Sequence, residues 1–460
     1  MSDRCDVAIV GGGVSGLAAA LALTRAGVPF LLLESSPRWG GRILSERAAG
    51  FLIEGGPDSL FVQKPAAIEL CRELGLGDRL LPARDPRTVF VVKGGRMHAL
   101  PPGLAAGAPA DLRAFLTSDL FSWTGKLRMG LERVIPRRRG DDDESIGDFF
   151  RRRLGREALE LMGDPLLAGI HAGDPERLSL TATMPRLAEI ERRSGSLARG
   201  LGRRAAGAPA PLFYTLRGGL GEMADAIVRR LPPGRFRTRS AVSRVARENG
   251  RYELRLDDGS IVRARELVLA VPPPVGSRLL SGLDLELAAW LLEIPCAGTA
   301  TVALGFRRED VGHSLDGHGL LVPRGEGLRT TACTFVSSKY PYRTPDGHVL
   351  LRAFVGGVRD RLAPGVGSEE LVATVLHDLG PLLGLRGAPT VARAFLWRES
   401  MPQMEVGHLA RMRSFDERLG RWPGLAVIGA GLRGTGIADA VTEGRRAAEA
   451  IVAGQDLRSA

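Results

Sequence analysis

Three glycines near the start of the chain have the spacing that holds the phosphates of a dinucleotide. Gly11, Gly13 and Gly16 form a GxGxxG motif directly after the apolar, β-branched run 6–10, and a helical pattern follows over residues 14–26. The glycines permit a tight turn and close approach of the backbone to a pyrophosphate, and the helix N-terminus offers unpaired N–H groups. The motif predicts a phosphate-binding segment made of Gly11, Gly12, Gly13, Val14, Ser15 and Gly16.

An acidic residue follows at the distance that ribose recognition requires. The apolar run 30–33 predicts a second strand, and Glu34 closes it. A carboxylate at this position accepts hydrogen bonds from ribose hydroxyls and disfavours a ribose phosphate. The strand–turn–helix–strand–acid pattern therefore predicts dinucleotide binding, and the alternative is a glycine-rich turn that binds nothing.

Composition bounds the class of protein. The chain has 460 residues, of which 44% are hydrophobic and 25% charged, and this length predicts two or three domains. No apolar stretch approaches a membrane span, and the first strand begins too early for a leader peptide. Four cysteines without CxxC spacing predict neither a disulfide framework nor a metal site, and they favour a reducing cytoplasm. The net charge of +11 is mostly arginine without interleaved aromatics, so no nucleic-acid partner is predicted.

The elements that position the glycine motif come from three parts of the chain. A strand pattern over 425–428 runs into Gly429, Gly431 and the segment 434–439, which opens a C-terminal helix. Strand patterns also recur between residues 241 and 270. We expect an α/β fold: a doubly wound, Rossmann-like cofactor domain with an inserted α+β substrate domain and a mainly helical domain. The predicted boundaries are 1–84, 205–278 and 395–460 for the cofactor domain, 85–204 for the helical domain and 279–394 for the substrate domain.

Further glycine segments resemble those of the FAD-dependent amine oxidase superfamily. These are Gly40-Gly41-Arg42, Glu54-Gly55-Gly56-Pro57 and the closing segment 434–439. The resemblance implies FAD, and because no cysteine follows Cys333 the FAD is expected to be noncovalent. Beyond the phosphate-binding segment and Glu34, the cofactor-binding residues it implies are Ser35, Gly41, Arg42, Gly56, Pro57, Asp58, Ser59, Val242, Trp397, Thr435, Gly436 and Ile437.

Within the superfamily, the whole chain is most similar to the oxygen-dependent protoporphyrinogen oxidases and the coproporphyrinogen III oxidases. The segments that carry this resemblance are 164–174, 178–179, 184–187, 196–197, 319–323, 337–338, 354–357, Trp397, 401–403 and 407–408. Amine oxidases of the superfamily place a lysine near the flavin on a strand of the substrate domain, whereas residues 297–306 contain none. The resemblance therefore favours a porphyrinogen over an amine.

The resemblance implies a six-electron oxidation of protoporphyrinogen IX to protoporphyrin IX in haem biosynthesis. Three flavin cycles would each pass a hydride to the flavin and two electrons to O2, so that three molecules of H2O2 form. The family indicates no catalytic side-chain base, and none is assigned here. The close alternative is the same chemistry on coproporphyrinogen III. More distant alternatives are a flavin oxidase or desaturase for another apolar substrate, and a flavin-binding protein without catalytic activity.

Substrate contacts are predicted from the same resemblance. Leu321 and Phe335 would clamp one face of the macrocycle and Phe354 the other, although each could equally be ordinary strand core. Arg87 is the nearest candidate to bind a substrate carboxylate, yet Val89 stands where the family's arginine aligns best. This departure favours a different carboxylate pattern, as a coproporphyrinogen with four propionates presents.

The helical segment 101–197 corresponds to the part that contacts membranes in the family. Its apolar cluster could form peripheral membrane contacts, pack as core or line the mouth of a substrate channel; the members are Leu112, Phe115, Leu116, Leu120, Phe121 and Trp123. A homodimer and transfer of the product to a ferrochelatase are also compatible with the resemblance.

Overall fold

The computed structural model describes residues 2–104, 111–138, 140, 142–202 and 211–459, and its strands fall into two large sheets and two small ones. In chain order the strands are β1 Ser2–Val10, β2 Phe30–Leu33, β3 Ser45–Ala48, β4 Phe51–Glu54, β5 Leu60–Phe61, β6 Leu80–Pro82, β7 Val89–Lys93, β8 Arg96–Ala99, β9 Phe213–Leu216, β10 Phe236–Arg237, β11 Val242–Glu248, β12 Arg251–Leu256, β13 Ile261–Leu269, β14 Cys296–Arg307, β15 Gly319–Leu321, β16 Thr330–Phe335, β17 His348–Gly356, β18 Val391–Pro402 and β19 Leu425–Val427.

The helices surround these sheets and form a separate layer in the middle of the chain. They are α1 Val14–Arg25, α2 Ala66–Glu73, α3 Leu112–Thr117, α4 Trp123–Gly130, α5 Ile146–Arg153, α6 Arg156–Ala158, α7 Asp164–His171, α8 Leu180–Thr183, α9 Pro185–Ser194, α10 Leu197–Gly202, α11 Gly221–Val228, α12 Pro273–Leu280, α13 Leu285–Leu292, α14 Val336–Lys339, α15 Ser368–Leu383, α16 His408–Leu419 and α17 Ile437–Ser459.

The first large sheet contains the predicted dinucleotide-binding strands. Its order is β10-β2-β1-β13-β12-β11, and β19 pairs with β13 beside this path. Strand β1 pairs in parallel with both β2 and β13, whereas β12 and β11 follow β13 as antiparallel neighbours. All four residues of β2 are buried, as expected for a parallel strand covered on both faces. The predicted α/β sheet and its order of elements are therefore present.

The second large sheet has the order β18-β14-β17-β16-β15-β7-β8 and is mostly antiparallel. Side chains along its strands alternate between two faces. One face packs on α15 and forms a core that includes Val302, Leu304, Leu351 and Leu379. The other face is turned toward the residues that link the two large sheets, because Phe395 of β18 contacts Gly55 after β4.

Strand pairing and helix packing place three segments in a different unit from the one predicted. Strands β7 and β8 belong to the second sheet, although residues 85–99 were assigned to the helical domain. Strand β18 belongs to the same sheet and runs across the predicted boundary at 394/395. Helices α12 and α13 pack on the first sheet through Leu279, Leu280 and Leu287, although the substrate domain was predicted to begin at 279. The predicted boundary at 204/205 lies outside the described residues.

The helical layer separates the predicted apolar cluster into a buried and an exposed group. Phe115, Leu120 and Phe121 are buried in the core of this layer, as the core-packing alternative requires. By contrast, Leu112 and Trp123 are exposed. None of the helices in the described part of the chain combines the length and the apolar composition that a membrane crossing needs.

Candidate functional site

The glycine motif after β1 forms the tight turn that its spacing predicts. Gly11 adopts φ +107°, and a Cβ at Gly16 would overlap the carbonyl oxygen of Gly11. Helix α1 begins without a side-chain cap at Gly13, and its first helical bond runs from Leu17 N to Gly13 O over 2.9 Å. The N–H groups of residues 14–16 precede that bond, so they are free of helical partners and can bind an anion.

Glu34 lies beside this turn at the end of β2. Its carboxylate is buried and accepts hydrogen bonds from the N–H groups of Gly12 at 2.6 Å and Ser36 at 2.7 Å. The neighbouring Ser35 hydroxyl lies 3.4 Å from the same carboxylate. Ser240 N donates to Glu34 O at 2.9 Å, which brings the start of β11 at Val242 to this end of the sheet. The Glu34 carboxylate therefore lies at the end of the sheet where the glycine turn and the start of β11 meet.

Residues 40–42 cover the phosphate-binding turn from the other side. Gly40 N donates to Gly12 O over 2.9 Å, and Gly41 packs against Gly13 so closely that a Cβ would be in tight contact. Burial lowers the pKa of Arg42, and no hydrogen bond or ion pair of its guanidinium occurs among the described residues. Arg42 is half-buried, and an unpaired, partly desolvated arginine favours an anion; the pyrophosphate of a dinucleotide is the anion that the adjacent turn would bind.

The segment 55–59 connects this region to the second sheet. A Cβ at Gly56 would overlap the carbonyl oxygen of Arg42, so the two segments are in backbone contact. Trp397 Nε1 donates to Gly55 O over 2.7 Å, and Arg352 donates to Gly56 O. Pro57 follows directly. The sequence-predicted residues Gly56, Pro57 and Trp397 are therefore brought together at the junction of the two large sheets.

The closing segment places a second helix N-terminus near the first helix. Gly436 N donates a hydrogen bond to Asp439 Oδ2 at 3.0 Å, and Lys64 Nζ forms an ion pair with the same carboxylate at 2.7 Å. Helix α17 then packs along α1, where a Cβ at Gly444 would overlap the carbonyl oxygen of Ser15. The predicted residues Thr435, Gly436 and Ile437 thus lie at the start of a helix that contacts the phosphate-binding helix.

These groups fit an extended dinucleotide. Glu34 suits a ribose, and the α1 N-terminus with Gly41 and Arg42 suits a pyrophosphate. The far end of such a dinucleotide would extend toward segment 55–59, whose Gly56 is in backbone contact with Arg42 and whose Gly55 accepts a hydrogen bond from Trp397.

One face of the second sheet borders the same junction with apolar side chains. Strand register aligns Leu321 with Ala332, Ala332 with Phe354, Phe354 with Thr301 and Thr301 with Phe395. Because directly paired residues share a face, these five side chains form one row, called here the Leu321–Phe395 row. Leu321 and Phe354, predicted to clamp opposite faces of the macrocycle, therefore lie on the same face of this sheet.

Phe335 is the third of the predicted substrate-clamping residues, and the structure places it elsewhere. Phe335 pairs with Leu351, whose neighbours are in the core under α15, and its side chain is fully buried there against Phe90 and His313. The prediction that Phe335 clamps substrate beside Leu321 is wrong, because Phe335 belongs to the opposite face of β16. Thr334 takes the face that was assigned to Phe335, since it pairs with Gly319 and Arg352.

Arg87 does not join the Leu321–Phe395 row. It precedes β7 and pairs with Asp85 at 2.9 Å. Val89 stands where the arginine was expected to align. It pairs with Gly319, which pairs with Thr334, and Thr334 in turn pairs with Arg352. The register places Arg352 on the same face as Phe354, and its guanidinium lies 4.6 Å from the Phe354 ring centroid.

A buried charged cluster behind segment 55–59 was missed from the sequence. Its members are Glu54, Asp58, Lys339, Arg343 and Arg352, all at least nine-tenths buried. The side chain of Asp58, predicted to bind cofactor, pairs instead with Lys339, and the Ser59 hydroxyl contacts both Asp58 and Tyr340. Asp58 and Lys339 are separated by 281 positions, so no local pattern connects them. The only available signal was that Lys339 is one of four lysines in an arginine-rich chain.

Taken together, the parallel sheet, the glycine-rich turn with its acidic partner and the second sheet at its edge define a dinucleotide-dependent oxidoreductase fold. A family model described as "Flavin containing amine oxidoreductase" matches residues 14–452. The chain belongs to this flavin-dependent family, and its relatives include enzymes named for porphyrinogen oxidation.

Three similar proteins illustrate the relationship. The Coproporphyrinogen III oxidase of Bacillus subtilis is 33% identical over 463 residues, covering 97% of this chain and 98% of the relative. The chloroplastic Protoporphyrinogen oxidase of Oryza sativa is 32% identical over 450 residues, covering 90% and 82%. A crystal structure from Exiguobacterium sp. 255-15 superposes with a TM-score of 0.88 at 31% identity and covers 98% of this chain and 99% of its own.

Proposed function

We propose that this chain is an FAD- and O2-dependent porphyrinogen oxidase. The observation that carries the proposal is the Leu321–Phe395 row, an apolar strip that borders the junction where the dinucleotide segments meet the second sheet. A flat, apolar macrocycle requires walls of this kind next to the group that oxidises it. Phe354 and Leu321 lie on the same face of the second sheet, so together they supply one apolar wall.

The residues of this chain bind and orient, and none is assigned as a base. When bound, FAD accepts two electrons and a hydrogen from the substrate and passes the electrons to O2. Glu34, Arg42 and the two helix N-termini hold the nucleotide without a covalent bond. Cys333 supports the noncovalent arrangement, because it is buried in the core under α15 and burial raises the pKa of its thiol to about 12.

For the substrate we propose coproporphyrinogen III, with protoporphyrinogen IX as the second candidate. Relatives named for both substrates match the chain at similar identity, 33% for the Bacillus subtilis protein and 32% for the Oryza sativa protein, so the order rests on the predicted carboxylate contacts. Val89 favours this order, because the edge of the face lacks the arginine expected for a two-carboxylate substrate. The protoporphyrinogen reading is supported by a similar percentage identity in the plant relative.

A direct comparison of the two porphyrinogens tests the proposal. The purified protein with FAD is mixed in air with each porphyrinogen, and porphyrin fluorescence is followed against a flavin-only control. We expect kcat/KM for coproporphyrinogen III to exceed that for protoporphyrinogen IX by at least tenfold. A higher value for protoporphyrinogen IX would reverse the order, and enzyme-dependent oxidation of neither would reject the function.

We further propose that the reaction takes place in the cytoplasm, with a peripheral contact to an anionic membrane surface. Exposed apolar side chains recur along α4 and the turn after it, at Trp123, Leu127, Leu131 and Val134. Exposed basic residues occur nearby in the sequence at Arg113 and Arg133, and amphipathic surface helices combine such charges with an apolar face. Vesicles of anionic lipid should sediment the protein but not a W123S/L127S variant, and equal sedimentation of both would reject the contact.

The homodimer and the transfer of product to a ferrochelatase stay predictions.

A further inference from the structure

The buried charged cluster behind segment 55–59 has an excess of positive charge. Lys339, Arg343 and Arg352 are cationic side chains, whereas Glu54 and Asp58 are the acidic ones. Burial is costly for each charge unless it is paired. Two pairs are close, and one formal positive charge is left over at the place where the second sheet contacts the dinucleotide segments.

The contacts of the cluster join it to segment 55–59. Lys339 Nζ lies 3.3 Å from Asp58 Oδ2 and 2.8 Å from the Ser59 hydroxyl. Arg352 reaches the same Asp58 carboxylate at 3.8 Å and donates to Gly56 O. Burial lowers the pKa of Lys339, and the Asp58 charge opposes this shift. Lys339 and Arg352 therefore share one anion.

The second pair fixes the start of the segment and leaves the excess charge near its middle. Arg343 lies 3.0 Å from Glu54 and donates to the Thr215 hydroxyl at 2.6 Å. Glu54 also accepts from Leu220 N at 2.8 Å. Glu54 and Arg343 thus satisfy each other away from Gly56, and the unbalanced cation belongs to the Asp58–Lys339–Arg352 group.

Segment 55–59 is also the part of this region closest to the expected ring of the cofactor. Gly56 is in backbone contact with Arg42, which would bind the pyrophosphate, and Gly55 is held by Trp397. An extended dinucleotide that passes Arg42 would therefore bring its ring toward this segment. Charge near a flavin ring alters its electron affinity.

We propose that Lys339 is a positioning residue whose charge, shared with Arg352 over Asp58, favours the reduced, anionic form of the bound flavin. The inference rests on the proposed binding of FAD and concerns the same site. Asp58 has the opposite effect, because its carboxylate offsets one of the two cations. Lys339 acts through segment 55–59 and touches neither substrate nor reacting atoms.

Variants of opposite charge separate this electrostatic role from a structural one. The midpoint potential of the bound flavin is measured by equilibration with a reference dye at pH 6, where a desolvated lysine is more fully protonated. Lys339→Met removes a cation and should disfavour two-electron reduction about tenfold, a decrease of ~30 mV. Asp58→Asn removes an anion and should shift the potential in the opposite direction. Lys339→Arg keeps the charge and should stay near wild type.

Lys93→Met serves as the matched control. It removes a lysine whose ammonium contacts Leu120 O and Glu157 rather than this cluster, and no change in potential is expected. If the Lys339→Met protein does not bind flavin, the direction in which Asp58→Asn shifts the midpoint potential is sufficient to test the proposal. A shift of both charge variants in the same direction, or no shift in Asp58→Asn, would overturn the proposal.

The outcome is distinguishable from failure of the proposed function. The potentials need only bound FAD and no porphyrinogen. A wild-type protein that oxidises porphyrinogens but shows no opposite shifts would reject the role of Lys339 and keep the function. Opposite shifts of the potential in a protein that oxidises neither porphyrinogen would keep the role of Lys339 and reject the function.

Discussion

Arg42 shows how far a single residue could be predicted. Its place after Gly40 and Gly41 identified it as a cofactor contact by resemblance, and the structure adds that it is half-buried and that its guanidinium has no hydrogen bond or ion pair among the described residues. Sequence alone could not give that second fact, because partnership depends on chain segments far away. The same limit applied to Lys339 and Asp58, whose pairing crosses the two sheets.

Replacing Arg42 by Met should have two opposite effects. Loss of an unpaired, half-buried charge should raise the thermal midpoint of the FAD-free protein slightly, because its partial desolvation cost disappears. Loss of the phosphate partner should weaken FAD binding about tenfold or more. Calorimetry of the FAD-free protein and FAD titration measure the two effects. Arg47→Met removes an exposed arginine of β3 and should change neither.

If Arg42→Met lowers the thermal midpoint and leaves FAD affinity unchanged, Arg42 is a structural residue and the pyrophosphate contact is wrong.

Strand register is the element-scale feature that sequence reasoning resolved only in part. Leu321, Phe335 and Phe354 were assigned as substrate contacts by resemblance, yet a shift of one residue along a strand moves a side chain to the other face. Phe335 was placed with Leu321, whereas the register pairs Leu321 with Ala332 and puts Thr334 rather than Phe335 on that face of β16. Sequence alone does not give this register, because β16 is buried along most of its length and shows no alternation of polar and apolar residues.

Two phenylalanine substitutions should distinguish the core face of the second sheet from the face proposed to bind substrate. Phe335→Ala removes a fully buried core side chain, so the free energy of unfolding should fall by about 3–5 kcal/mol while the KM of the folded enzyme stays near wild type. Phe354→Ala removes a half-buried wall of the proposed substrate site, so KM should rise severalfold with a smaller loss of stability. Denaturant unfolding and steady-state kinetics measure both. The reverse pattern would restore the original assignment of Phe335.

At the scale of the whole molecule, the two ends of the chain form one nucleotide-binding unit. The glycine turn and the C-terminal helix were both predicted, and their direct packing through Gly444 and Ser15 is a structural finding. The inserted domains were less predictable. Strands β7 and β8 join a sheet whose other members begin at residue 296, and no local pattern indicates such a distant partner.

Gly444→Ala tests the contact between the chain ends. The added methyl group would overlap the Ser15 carbonyl, so α17 must move relative to α1. We expect a lower ratio of flavin to protein absorbance after purification and a lower thermal midpoint. Gly454→Ala, in the same helix but with open space around it, is the matched control. Equal flavin content in the two variants would show that the packing of α17 on α1 does not support the cofactor site.

The central claim is that a flavin held between the chain ends oxidises a porphyrinogen on the neighbouring sheet. Its most direct test is a single-turnover measurement in which the FAD-loaded protein is mixed without oxygen with excess coproporphyrinogen III and the flavin absorbance is followed. The account predicts bleaching of the flavin at a rate that equals or exceeds turnover, and recovery of the colour with H2O2 when O2 is admitted. A flavin that stays oxidised with both coproporphyrinogen III and protoporphyrinogen IX would contradict it.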